Sequence, residues 1–253
     1  MNLTLSSQSF GIFSAGWIDL STHYNTSSPA LVFVNSSFGT SAEFGSAGVG
    51  GPSIYPIPTF GFTHTLKFNN NYYVRSALMS PVLSTDTNSS DILDDIYLSQ
   101  SNHLYVLELG VEEEKSFEYA VGFWKLKTES SALESFSHKG LYIQIDKRLS
   151  RSLHPFIRWG WASKFFDRVY SNLALGMELR FNKLQSETLS FGFSSARIES
   201  ALYSEKVYEI IYSSKISKDL ILAFSAQYIL DPGGEEGRAL AGTTRLVLAR
   251  DWL

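Results

Sequence analysis

From residue 57 onward, apolar and polar side chains alternate with a period of two in one segment after another. Across 104–112, Tyr105, Leu107, Leu109 and Val111 fall on one face, and Glu108, Gly110 and Glu112 on the other. Phe117, Tyr119, Val121 and Phe123 alternate with Glu118, Ala120, Gly122 and Trp124. Leu141, Ile143 and Ile145 alternate with Tyr142, Gln144 and Asp146, and Ile157, Trp159 and Trp161 with His154, Arg158 and Gly160. Leu173, Leu175, Met177, Leu179 and Phe181 alternate with Asn172, Ala174, Gly176, Glu178 and Arg180. Successive side chains of a strand point to opposite faces, so each segment has one apolar and one polar face. No stretch sustains a 3.6-residue period. The pattern predicts strands near 9–18, 57–69, 71–80, 103–112, 116–127, 137–148, 152–163, 169–181, 186–197, 206–216, 218–230 and 239–252. That is about 12 strands, each near the 9–11 residues a tilted membrane strand requires.

The connections alternate in length. Those at Asn69–Asn71, Glu113–Lys115, Leu149–Arg151, Asn182–Gln185 and Ser217 are tight; those at 81–102, 128–136, 164–168, 198–205 and 231–238 are longer. Outer-membrane barrels have short periplasmic turns and longer extracellular loops, and a soluble sandwich has no reason to keep that rhythm. Counting back from the last strand puts the C-terminus on the short-turn side. The expected fold is all-β: a transmembrane antiparallel β-barrel filling 1–253 as one domain. Residues 19–56 break the pattern. They are rich in Ser and Gly and end in Gly45-Ser46-Ala47-Gly48-Val49-Gly50-Gly51-Pro52. A loop this long in a compact domain is usually functional or disordered. Its apolar piece, Ala30-Leu31-Val32-Phe33-Val34, prefers burial, so the expectation is a constriction loop folded into the lumen.

Composition agrees with a membrane barrel. Aromatics are 14% of the chain and charged residues 18%, against about 25% charged in a typical soluble domain. No apolar run approaches the roughly 20 residues of a membrane-spanning helix. The absence of cysteine excludes disulfides, thiolate metal sites and a cysteine nucleophile. A net charge of −4 gives no footprint for nucleic acid. Met1-Asn2-Leu3-Thr4 opens with neither a basic segment nor an apolar run. An exported chain of this kind is expected to be a mature or truncated form.

Several short motifs, in order, are similar to the carbohydrate-selective porin family of Gram-negative outer membranes. They are Asn35-Ser36-Ser37-Phe38-Gly39, Gly50-Gly51-Pro52 with Tyr55-Pro56, and His154-Pro155-Phe156-Ile157-Arg158-Trp159-Gly160. Ala226-Gln227-Tyr228-Ile229-Leu230-Asp231-Pro232-Gly233-Gly234 and the Glu209, Tyr212 spacing complete the set. The resemblance runs from about Gly16 to the C-terminus. It implies a barrel of about 16 strands that lets sugars cross the outer membrane. It implies carbohydrates, outer-membrane lipid, lipopolysaccharide and the barrel-assembly machinery as partners, with no cofactor and no nucleic acid; homo-oligomers are left open. Against that family, the signal peptide and roughly the first four strands are missing, and the chain ends Asp251-Trp252-Leu253 rather than in an aromatic.

A porin needs polar side chains on its inward face and aromatic surfaces for sugar rings. The alternation points Tyr73, Arg75, Glu108, Glu118, Trp124, Tyr142, Asp146, Arg158, Glu178, Arg180, Glu209, Gln227 and Arg245 into the lumen. Arginines and carboxylates on opposite walls would set up a transverse field and hydrogen-bond sugar hydroxyls. The blander reading is that lumen residues are polar because water is there, with Glu118 and Arg158 a cross-strand ion pair. Other chemistry is weak. His23, His64, His103, His138 and His154 lack metal-ligand spacing, and no nucleophile elbow or P-loop occurs. Asp86, Asp91, Asp94 and Asp95 lack EF-hand spacing and read as a solvated loop. The competing classes are a non-conducting or truncated structural barrel, a barrel hydrolase built on His154, and a soluble all-β binding protein.

Overall fold

Alternating segments of this length satisfy their backbone groups by pairing with their neighbours in sequence, and the chain does so from end to end. The computed structural model describes residues 2–7, 10–45, 52, 54, 57–69, 71–82, 102–113, 117–130, 133–164, 168–181, 186–217 and 219–248. The strands are β1 (Asn2–Ser7), β2 (Gly11–Ile18), β3 (Thr59–Phe68), β4 (Tyr72–Met79), β5 (His103–Glu113), β6 (Phe117–Ser130) and β7 (Leu133–Lys147). They continue as β8 (Leu153–Ala162), β9 (Val169–Phe181), β10 (Glu187–Ile198), β11 (Ser204–Ser217), β12 (Leu220–Leu230) and β13 (Arg238–Leu248).

All 13 form one sheet in sequence order, each pair antiparallel. Twelve are the strands that the alternation predicts. The thirteenth, β1, precedes them and pairs Asn2 through Ser7 with Gly16 through Gly11. Among the described residues no strand pairs with the outer edge of β1 or of β13. In a sequential antiparallel sheet of odd strand number, those two edge strands run in the same direction.

The strand ends fall close to where the sequence places them, with one correction, and the links over 83–101, 165–167 and 182–185 lie outside the described residues. The link expected over 128–136 is largely strand: β6 runs to Ser130 and β7 resumes at Leu133. The tight and turned positions use residues that tolerate positive φ, among them Asn69 (48°), Asp231 (51°), Gly233 (66°) and Gly234 (81°). The expected acidic stretch Asp86–Asp95, the turn residues Glu114 and Lys115, and Asp251-Trp252-Leu253 lie outside the described residues.

The two faces differ as the alternation requires. One is apolar and exposed, carrying Tyr105, Leu109, Phe123, Ile157, Trp159, Trp161, Leu175 and Met177. The other, the inner face, is covered in large part by the segment after β2. That segment opens with a 3₁₀ turn at Leu20–Thr22, where the Asp19 carboxylate accepts from the Ser21 amide. Further on is a single helical turn, α1 (Ser36–Gly39), where the Asn35 side chain accepts from the Ser37 amide at 3.0 Å and the Ser37 hydroxyl at 2.6 Å.

Two apolar clusters join this segment to the sheet. Leu20, Tyr24 and Phe44 pack with Met79, Leu104, Val106, Trp124, Leu126 and Tyr142. Ala30, Phe33 and Phe38 pack with Phe156, Ala174, Val207 and Ile211. Within the predicted apolar piece, Ala30 and Phe33 are buried but Leu31 is 56% exposed. Fully burying a side chain of this size is worth about 1.5–3 kcal/mol, so the clusters set where the segment rests.

Candidate functional site

The site is the inner wall together with the segment lying on it. Period two sends Glu108 of β5 inward, and the buried carboxylate draws three donors from three places. Arg75 Nη1 lies at 3.1 Å, the Tyr142 hydroxyl at 2.7 Å, and the Asn25 backbone amide at 3.0 Å. Arg75 also donates to the His23 carbonyl at 3.0 Å, reaches Glu112 at 3.4 Å, and lies 4.0 Å from the Tyr73 ring centre. The Tyr24 hydroxyl donates to the Ser76 carbonyl at 2.7 Å, and burial pushes its pKa well above the usual phenol value.

On β7, beside Tyr142, Gln144 Nε2 donates to the Thr26 carbonyl at 2.5 Å and to Glu118 of β6 at 3.2 Å. Glu118 is therefore bonded to Gln144, in place of the cross-strand ion pair with Arg158. Arg158 is buried under the segment instead. Its guanidinium donates to the carbonyls of Asn25, Phe38 and Gly39 and to the Asn25 side chain. A guanidinium has five N–H donors in a rigid fork, suited to gathering several backbone carbonyls of one folded-back segment. Glu209 of β11 does the reverse job. It accepts from the amides of Val34 at 2.9 Å and Asn35 at 3.1 Å, and from the Ser225 hydroxyl at 2.7 Å.

The remaining expected residues also sit on the inner face. Trp124 stacks obliquely on Phe44, with ring centres 5.8 Å apart, and meets His138 edge-on at 4.8 Å. Tyr73 is buried. Glu178 and Arg180 pair with each other at 2.5 Å, and Arg245 donates to the Val32 carbonyl. Gln227 is buried on β12. The wall residues expected to meet solute thus largely meet the segment.

Sequence reasoning missed the segment's own polar residues: Tyr24, Asn25, Ser27 and Glu43. Glu43 is 1% exposed, and neither carboxylate oxygen has a hydrogen-bond partner. Burial pushes its pKa from the usual carboxylate range up to about 8, and the nearby charge of Arg158 opposes that rise. No motif announced these residues, because a lone Glu or Asn in a Ser/Gly-rich loop has no spacing to read.

His154 does have a neighbour, but the order is wrong for nucleophilic catalysis. Its Nε2 lies 3.1 Å from Asp146 Oδ1, while the Ser27 hydroxyl donates to Asp146 Oδ2 at 2.9 Å. The carboxylate stands between the hydroxyl and the imidazole, so the imidazole is not placed to take the serine proton. Among the described residues no group of three His, Asp or Glu side chains is placed to hold a metal ion.

Beside a smaller hollow of about 250 Å³ at His23, Tyr24 and Arg75, two larger inner recesses border the segment among the described residues. One of about 470 Å³ is lined by Ser21, Asn35, Ser37, Thr40, Ala196 and Glu205 among others. The other, about 430 Å³, is framed by Arg180, Lys215 and Arg245 beneath Leu31 and Val32. Another hollow of about 480 Å³, lined by Leu175, Met177, Phe191, Phe193, Tyr208 and Leu240, belongs to the apolar outer face. It has no part in polar chemistry.

No family model matches the chain, and no curated protein matches it. Solved structures do. OprB of Pseudomonas putida, in a structure at high pH, superposes with a TM-score of 0.78 at 15% identity, over 98% of this chain and 72% of that one. An anion-selective porin from Comamonas acidovorans superposes with a TM-score of 0.62 at 9% identity, over 97% and 74%. At such identities the likeness speaks for the fold alone, and the chain shares the fold of these porins over nearly its whole length.

Proposed function

We propose that the chain is a bacterial outer-membrane porin through which carbohydrates and other small polar solutes diffuse, a channel rather than an enzyme. The observation that carries this reading is the arrangement of its two faces. The outer face is an apolar belt of exposed large side chains, while the inner face presents Arg75, Glu108, Asp146, Arg158 and Glu209 to a segment folded across it. A belt of that kind suits hydrocarbon, and a polar interior suits water-borne solute. The resemblance of the sequence motifs to the carbohydrate-selective porins supports sugars as the cargo. The segment of 19–56 acts as the constriction, and a solute passes the two larger polar recesses that border it.

Single-channel conductance in a planar bilayer tests the reading. Steady openings that glucose partly blocks are expected. Deleting residues 30–50 should raise the conductance, and an unchanged conductance would overturn the constriction role. The second reading, a non-conducting structural barrel, is favoured by the outer edges of β1 and β13, which have no neighbouring strand among the described residues. Edge groups left facing lipid cost several kcal/mol each. Properly inserted protein without openings would decide for it.

A further inference from the structure

The inner face carries charges of both signs. Toward β4–β7 Arg75 lies among Glu108, Glu112, Glu118 and Asp146, and on β11 Glu209 faces the segment. Toward β9–β13 lies the recess of about 430 Å³, whose charged lining is Arg180, Lys215, Arg245 and the single carboxylate Glu178. Register builds this recess. Arg180 pairs with Thr188, Thr188 with Ser213, Ser213 with Ala223, and Ala223 with Arg245. These positions make one row across five strands on one face. With strands about 4.8 Å apart, the two arginine Cα atoms stand roughly 19 Å apart. Long cationic side chains close the ends of the row, and a threonine, a serine and an alanine leave a trough between them. Lys215, two residues after Ser213 on β11, enters from the adjacent row, where it pairs with Ile221.

Two of the three cations are held in place. Arg245 donates to the Val32 carbonyl, and Arg180 Nε to Glu178 at 2.5 Å. Each guanidinium has five donors, so one such bond orients it without exhausting it. Glu178 offsets one of three positive charges, which leaves a local excess in a chain whose net charge is −4. Low-dielectric walls strengthen the attraction of such a recess for an anion.

We propose that this recess is a binding station for an oxyanion, a carboxylate or phosphate borne on a small hydroxylated solute. Guanidinium and ammonium groups take the oxyanion, and Thr188, Ser213 and Ser186, which also line the recess, take solute hydroxyls. The station deepens the porin reading and rests on it for the route by which solute arrives.

The test is calorimetric titration of the detergent-folded full chain at low ionic strength with inorganic phosphate, D-glucuronate and glucose. Phosphate and glucuronate should bind, more weakly as salt is added, and whichever binds tighter names the source of the oxyanion. Lys215→Gln and Arg180→Gln should each weaken anion binding on the order of 5-fold. Glu178→Gln should tighten it by a similar factor, a gain that misfolding would not imitate. Anion affinity unchanged in all three variants, or glucose bound as tightly as the anions, would overturn the station. Anion binding by a chain that conducts nothing would sink the porin reading and leave the station standing.

Discussion

The carboxylate of Glu43 lies directly against Gly160, so that a methyl group on that glycine would overlap it. Gly160 sits on the inner face of β8, flanked in the strand by Trp159 and Trp161 on the outer face. The missing side chain is what leaves room for the buried Glu43 carboxylate. Gly160→Ala should therefore displace that carboxylate and disturb the segment around it without breaking the strand. Overpacking of this kind costs about 1–3 kcal/mol. Urea titration should show that loss, and faster proteolysis within 38–45 should accompany it.

The buried Glu43 makes docking of the segment depend on pH. Its docked pKa is pushed up to about 8 by burial, from a usual value of 4.5. Between those values the docked carboxyl holds a proton that the solvated one has lost, so docking weakens as pH rises through that window. It is strongest below the lower value and levels off above the upper one. The expected slope is about 1.4 kcal/mol per pH unit. Protease susceptibility of the segment from pH 5 to 9 should follow that slope in the wild type. In Glu43→Gln it should be flat.

Arg158 binds carbonyls from two stretches of the segment, at Asn25 and at Phe38–Gly39. Arg158→Met keeps the bulk and removes every donor. Each buried carbonyl left without its donor costs about 1–3 kcal/mol. Amides near 25 and 38–41 should then exchange with solvent far faster than those of β8 itself, as hydrogen exchange would read. Equal protection in wild type and variant would mean the apolar clusters alone hold the segment.

Glu209 accepts from two consecutive amides and a hydroxyl. A glutamine keeps one acceptor oxygen and turns the other into a donor facing donors. Glu209→Gln should cost about 1–3 kcal/mol and loosen Val34 and Asn35 while leaving the Asn25 region docked. Site-resolved exchange that rose equally at Asn25 and Val34 would contradict two independent anchors.

The strands themselves were legible in the sequence, since each of the 12 read from alternation is present. A pleated strand repeats every two residues whatever lies around it, and an apolar face beside a polar one states that repeat directly. The inward positions of Arg75, Glu108, Arg158 and Glu209 came with it. The short strand Asn2–Ser7 did not, because Asn2, Leu3, Thr4 and Leu5 alternate over too few residues to stand out. Nor was it visible that Leu104, Val106 and Ile211, apolar residues on the polar face, are covered by Leu20, Tyr24, Phe33 and Phe38. Those partners are distant in sequence, and no local period couples a loop residue to a wall residue.

The sequence by itself therefore determined the strands, their faces and the order of short and long connections, all properties that act between near neighbours. Tertiary structure alone decided what the inner wall touches. It set Arg158 on the carbonyls of Asn25 and Phe38, Glu43 against Gly160, and Arg180 in one row with Arg245. Those relations depend on which strands stand side by side and on where a folded-back segment finds its apolar contacts. The free energy that selects them comes from burial across the whole sheet, not from any stretch of it.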